Sequence, residues 1–216
     1  MKKILLFICV IYFAINLPSV LTAQNKNTLD DIVMIEGTYL RDLGTFGTYW
    51  SGAAGFYLGY GKFFADHNLL MVRTGFMSHS ARENTNYYDE YNPEQSYPDA
   101  YLSVIPVHIG GRYYFTNESI MPYFQFMNGI NIIFENVNSY NNNDYLLNGK
   151  ESRTLVRYLW QIGAGATYSI SNNINVDLGV HYNAAFYENS KDVFGSKGAM
   201  MTGFEYSIGF GWKLNN

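Results

Sequence analysis

The sequence predicts an all-β fold, an eight-stranded antiparallel up-and-down transmembrane β-barrel. Three observations carry that expectation. The final stretch, Tyr206 to Leu214, alternates without a break: Tyr206, Ile208, Phe210, Trp212 and Leu214 lie on one face, Ser207, Gly209, Gly211 and Lys213 on the other. A period of two residues is the β-strand period. About seven more stretches upstream are written the same way. The connections between them alternate short and long, as in outer-membrane barrels with tight periplasmic turns and longer outer loops.

Taken in order, the first element is not part of the barrel. Met1-Lys2-Lys3, the apolar run Ile4 to Ile15, then Asn16, Pro18 and Leu21-Thr22-Ala23 have the form of a secretory signal peptide cut after Ala23. The apolar run is shorter than the ~20 residues a membrane helix needs. Residues 1–23 are therefore expected to be the signal peptide and residues 24–216 a single barrel domain. Without Lys2 and Lys3 the chain carries 12 basic against 18 acidic side chains, a net charge of −6. That balance excludes the basic surface of a nucleic-acid binder. Cys9, the only cysteine, leaves with the signal, so stability must come from strand pairing and packing rather than disulfides.

The period-two stretches place strands near 33–41, 53–64, 69–79, 101–115, 122–134, 154–170, 174–187 and 201–214. Most reach the ~9–11 residues that a tilted strand needs to cross the hydrocarbon. The connections 65–68, 116–121 and 171–173 are tight; those near 42–52, 80–100, 135–153 and 188–200 are longer. Strand one, with Val33, Ile35, Gly37 and Tyr39, has the weakest pattern, and Asn128 interrupts the apolar face of strand five. An even strand count puts both termini on the periplasmic side of a bacterial outer membrane.

Which face meets lipid is decided by size. One face carries large side chains such as Val72, Phe76, Ile109, Phe124, Tyr158, Leu178 and Phe210; the other carries charged and amide side chains separated by Gly59, Gly61, Gly75, Gly163, Gly165, Gly209 and Gly211. An eight-stranded barrel is just wide enough inside for its own side chains, so the glycine-rich polar set fits the interior and the rings fit a lipid-facing band. Tyr49, Trp50, Tyr101 and Phe186 are expected in the outer aromatic girdle, and Phe63, Phe64, Phe115, Tyr123 and Trp212 in the periplasmic one.

The same parity turns Glu36, Arg73, His108, Arg112, Gln161, Asp177, His181, Glu205 and Lys213 inward. Charges in so narrow a space cannot stay unpaired, because desolvating an isolated ion costs several kcal/mol. Glu36 and Asp177 are expected to bridge Arg73, Arg112 and Lys213 into a plug, with His108, His181, Gln161 and Glu205 continuing the polar network above it. The long connection after strand three offers Tyr87, Tyr88, Tyr91 and Tyr97 among acidic residues, an adaptable contact surface for an extracellular protein or glycan.

Catalytic and metal motifs are weak by comparison. His181-Tyr182-Asn183-Ala184 is similar to the His-x-Ser-Asn segment of outer-membrane lipid A deacylases, but position 183 is Asn, which cannot attack an ester. Ser78-His79-Ser80 keeps hydroxyls beside a histidine, yet strand alternation points both serines away from it, and no acidic partner is placed by the sequence. Four histidines without recurrent close spacing form no metal motif. No catalytic, cofactor or metal site is expected.

Ile105-Pro106-Val107-His108-Ile109-Gly110-Gly111-Arg112-Tyr113-Tyr114-Phe115, then Met121-Pro122-Tyr123-Phe124 with Gly129 beyond, resembles the core of the outer-membrane β-barrel domain family of Bacteroidetes-type bacteria. Gly209 to Leu214 looks like that family's closing strand. The resemblance covers the whole chain after Ala23. It implies a small barrel of the OmpA and OmpX kind within a PorT-like group, and it implies no shared catalytic residues. The expected role is a non-enzymatic outer-membrane barrel with a side-chain-filled lumen, structural or surface-interacting through its outer loops. The alternatives are a lipid A-modifying enzyme of deacylase or acyltransferase type and an accessory subunit of an envelope or secretion assembly. Expected partners are outer-membrane lipid and lipopolysaccharide, and the barrel-assembly machinery during insertion.

Overall fold

The computed structural model describes residues 31–80, 95–141, 147–186 and 201–214; side chains are described for all of these except 45, 48, 49, 95–100, 137–141, 147–151, 153 and 186. Eight strands close into one barrel: β1 (Asp31–Leu43), β2 (Ala53–Ala65), β3 (Asn68–Ser80), β4 (Gln95–Tyr114), β5 (Ile120–Asn141), β6 (Leu147–Ser169), β7 (Ile174–Phe186) and β8 (Met201–Leu214). Every neighbour is antiparallel, and β8 closes on β1 from Asp31↔Leu214 to Leu43↔Thr202. Closure removes the edge strands that an open sheet would leave exposed. Strands β4, β5 and β6 run 20, 22 and 23 residues against 13 or 14 for the other five. They lengthen at the end of the barrel that carries the long connections, the loop end; the opposite end is the turn end.

The lateral faces divide as the residue sizes require. Val33, Ile35 and Tyr39 of β1 are exposed on the outer wall, while Met34, Glu36 and Leu40 are buried inside, so the weakly patterned first strand obeys the same alternation. Asn128 lies on the outer face, where its Oδ1 accepts a hydrogen bond from the Tyr158 hydroxyl of β6 at 2.6 Å. That bond satisfies an amide oxygen whose apolar neighbours on the face offer no donor. Tyr101, Phe115 and Trp212 are exposed on the outer face. Trp50, Tyr123 and Phe63 are not part of the girdles: Trp50 and Tyr123 are each 1 % exposed, and Phe63 packs partly buried against the interior apolar cluster of the turn end. Parity explains the latter two, since Tyr123 lies between the outward Pro122 and Phe124, and Phe63 shares the inward face of Tyr57.

Two features depart from a uniform wall. The connection between β1 and β2, expected as a loop, contains the short helix α1 (Gly44–Tyr49). Gly44 turns the chain inward at φ 63°, a backbone conformation that side-chain-bearing residues avoid. Its sequence, GTFGTY, is a poor helix former, so the helix owes its form to where Phe46 seats. The second departure is Pro106 in β4. Between the pairs Thr74↔Val107 and Met77↔Val104 the β3–β4 ladder is interrupted. Proline has no N–H to give, so the Gly75 carbonyl faces a strand position that offers it no donor. The Thr74 hydroxyl, on the outer face, donates to the Pro106 carbonyl at 2.8 Å.

Candidate functional site

The interior is layered. At the turn end Ile32, Met34, Leu69, Met71, Met121 and Met127 form an apolar floor. At the loop end Leu40, Phe46, Trp50, Met77, Leu102 and Ile133 form an apolar roof. Between them lies a band of fully buried charged and amide side chains, delivered by seven strands because each contributes one or two inward positions at this height.

The band consists of two similar units. In the lower one Arg112 donates from Nη1 to Asp177 Oδ2 at 2.8 Å and from Nε to Gln125 Oε1 at 2.5 Å. Its guanidinium stacks 4.3 Å above the Tyr123 ring, whose hydroxyl donates to Asp177 Oδ1 at 2.8 Å. In the upper unit Arg73 donates from Nη2 to Glu205 Oε1 at 3.4 Å and to Gln161 Oε1 at 2.6 Å. Its guanidinium lies 3.9 Å over the Tyr57 ring, whose hydroxyl donates to Glu205 Oε2 at 3.0 Å. Each unit is thus an arginine, a carboxylate and a tyrosine that touches both, combining ion pairing with a cation–π contact.

Glu36 couples the units. Its Oε1 accepts from Arg112 Nη2 at 2.7 Å and its Oε2 from Arg73 Nη1 at 3.1 Å. Gln125 Nε2 adds a second tie to Gln161 Oε1 at 2.9 Å. Asn183 donates to Glu205 Oε2 at 2.9 Å and accepts from Gln161 Nε2 at 2.6 Å. Each arginine meets several acceptors and each carboxylate several donors, which is the condition under which buried charge is tolerated. Gly163 and Gly179 keep the space that the His181 ring occupies: a Cβ on Gly163 would collide with His181 Cδ2.

Of the sequence-predicted lumen residues, Glu36, Arg73, Arg112, Gln161, Asp177 and Glu205 meet in this network. Glu36 bridges both arginines, whereas Asp177 reaches Arg112 alone. Glu205 stands at the centre of the upper unit rather than above it. Lys213 is a correction: it remains half-buried at the turn-end rim, and the ion pairs of the band form without it. So close to the strand end, water can solvate its ammonium. His108 is buried and bonded through Nε2 to Asn131 Oδ1 at 3.2 Å. The ring of His181 is buried with Nδ1 3.6 Å from Glu205 Oε1. Tyr87, Tyr88 and Tyr91 lie outside the described residues, as does the side chain of Tyr97. Sequence reading missed Tyr57 and Tyr123, whose inward parity was the available signal.

It also missed the roof. Phe46 stacks on Trp50 at 6.1 Å and meets His79 at 5.6 Å in a T-shaped contact. Nδ1 of His79 is 2.9 Å from Asp42 Oδ2 and 3.3 Å from the Ser51 carbonyl. Ser51 donates from both N and Oγ to the Ser80 carbonyl, each at 2.9 Å. Residues 44–52 thus form a strap folded into the mouth of the barrel and fastened to the end of β3.

No protein-family model matches the chain, and no curated protein matches it. Among solved structures it is similar to a major outer membrane protein from Thermus thermophilus, at TM-score 0.58 and 11 % identity over 87 % of this chain and 100 % of that one. It is similar to Neisserial surface protein A at TM-score 0.53 and 15 % identity, covering 85 % and 97 %. It is also similar to Ail, the attachment invasion locus protein of Yersinia pestis, at TM-score 0.50 and 14 % identity, covering 86 % and 97 %. The chain has the fold of small eight-stranded outer-membrane barrels.

Proposed function

We propose that this chain is an outer-membrane protein that acts without enzymatic chemistry, as a structural or surface-interaction barrel. In this reading residues 1–23 are removed as a signal peptide, both termini and the tight turns lie in the periplasm, and the four long connections face outside. The observation that carries it is the filled lumen, with a charged band between an apolar floor and an apolar roof. Eight strands leave little room for a bore, and here that room is taken by side chains, so contact with partners falls to the outer rim. Neisserial surface protein A and Ail are named for surface and attachment roles, which agrees with this reading. Planar-bilayer recordings of the refolded protein should give no stable conductance, and protease added to intact cells should cleave near residues 87–97. A steady open channel would overturn the closed lumen; cleavage only after permeabilisation would overturn the orientation.

A lipid A-modifying enzyme is the second reading, favoured by one specific observation: Asp42 supplies His79 with the acidic partner that catalysis would need. The nucleophile is what fails. Ser78 and Ser80 are exposed on the opposite face, and Ser51 Oγ is committed to the Ser80 carbonyl. Mass spectrometry of lipid A from cells with and without the protein should show the same species. A His79-dependent loss or gain of an acyl chain would reverse the assignment. Partners that co-purify from native membranes in fixed stoichiometry would instead favour an accessory subunit of an envelope assembly.

A further inference from the structure

Beneath the ion network, where β7, β8 and β1 meet, the lumen retains a small cavity whose polar lining is Glu36, Arg112, Tyr114, Thr167, Asn175 and Asp177. Most of these groups are already engaged. Both Glu36 oxygens accept from guanidinium groups, and Asp177 accepts from Arg112, Tyr123 and the Thr167 hydroxyl. Asn175 differs: it is 2 % exposed, and its Oδ1 meets no donor from the protein. A buried amide oxygen is nearly always satisfied by protein or by ordered water. Arg112 gives one N–H from each of Nε, Nη1 and Nη2 and also hydrogen-bonds the Tyr114 side chain, so of its five N–H groups one remains to give.

We propose that this cavity is a binding site for an ordered water molecule that donates to Asn175 Oδ1 and to a carboxylate oxygen of Glu36 or Asp177, and accepts from a spare Arg112 N–H. Water is the ligand this chemistry selects. A monovalent cation would sit against the Arg112 guanidinium, and both carboxylates already have cationic partners. An apolar void is what stays dry, and a lining of six polar side chains gives a water the two to four partners it needs. The water completes the lower arginine unit and ties Asn175, at the start of β7, to the network.

The test uses the full barrel refolded in lipid nanodiscs. Water-to-protein cross-relaxation in NMR should reach the Asn175 side-chain amide with the sign of a long-lived water, and a structure resolving solvent should show one peak within hydrogen-bonding distance of Asn175 Oδ1. Asn175→Leu should lower the urea unfolding midpoint, because it removes a polar partner from a hydrated site. If the cavity is dry, the same substitution fills a void and raises the midpoint, which overturns the proposal. A peak that strengthens on exchange into rubidium chloride would also overturn it, by identifying a cation. Should Asn175→Leu fail to fold, the cross-relaxation measurement on the unaltered protein decides alone.

Discussion

Glu36 is the residue on which the interior depends most, because one carboxylate compensates two arginines on different strands. Replacing one partner of a buried ion pair leaves the other charged and desolvated, at a cost of about 3–5 kcal/mol. Glu36→Ala should therefore lower the unfolding free energy in lipid vesicles by about that amount. Lys213→Ala should change it by no more than about 0.5 kcal/mol, as for a surface substitution. Equal effects from the two would refute the assignment of Lys213 to the rim. This contrast marks the limit of sequence reading at the residue scale. Parity correctly turned Glu36, Arg73, Arg112 and Asp177 inward, because alternation is a property of the strand alone. Depth, which separates Lys213 from the others, and partner choice, which gives Arg73 to Glu205 rather than Asp177, follow from the relative displacement of neighbouring strands. That displacement appears only once the register is known.

At the scale of elements, the strap over the barrel mouth and the interruption at Pro106 are the two places where local sequence rules give way to tertiary structure. Composition gives GTFGTY no reason to be helical; the seat of Phe46 and Trp50 in the roof provides it. Truncating a large buried aromatic typically costs about 3–5 kcal/mol, and Trp50→Ala should fall in that range by equilibrium unfolding. The same variant should still pass no current in a planar bilayer, since the charged band lies below the roof. Conductance in Trp50→Ala would mean that the strap, not the arginine network, closes the barrel. At Pro106 the ladder lacks one backbone donor, and the Thr74 hydroxyl bonds the proline carbonyl. Hydrogen exchange should find the amides of 74–77 less protected than those on the uninterrupted β1–β8 seam. Pro106→Ala should slow them by restoring the N–H, and unchanged exchange in that variant would disprove the weak seam. The proline was visible in the sequence. Its consequence was not, because an isolated strand does not say which neighbour each N–H faces.

For the whole molecule, the decisive property is that the larger side chains are outside. Leu178 is 55 % exposed on the outer wall. An arginine near the middle of the lipid band costs about 2–4 kcal/mol, so Leu178→Arg should destabilise the barrel in bilayers to that extent. An unchanged unfolding free energy would mean that the outer wall is not lipid-facing. Fold class, strand count and sidedness of the wall were all legible beforehand, because repetition over eight strands averages out single exceptions such as Asn128. The connections were not legible, because they lack a period; their lengths alone carried information.

The unequal strands have a consequence for encounter. Among the described residues Tyr158 is the last of β6 to pair with β7, and β6 continues beyond it for the eleven residues 147–157. At a rise of about 3.3 Å per residue that is roughly 36 Å of strand, shortened in height by the tilt. Among the described residues the corresponding stretch of β4, beyond Tyr101, is six residues, 95–100. Among the described residues, therefore, the β5–β6 hairpin rises above the strap between β1 and β2. Of these two described features, a body approaching along the barrel axis would meet the β5–β6 hairpin before the strap.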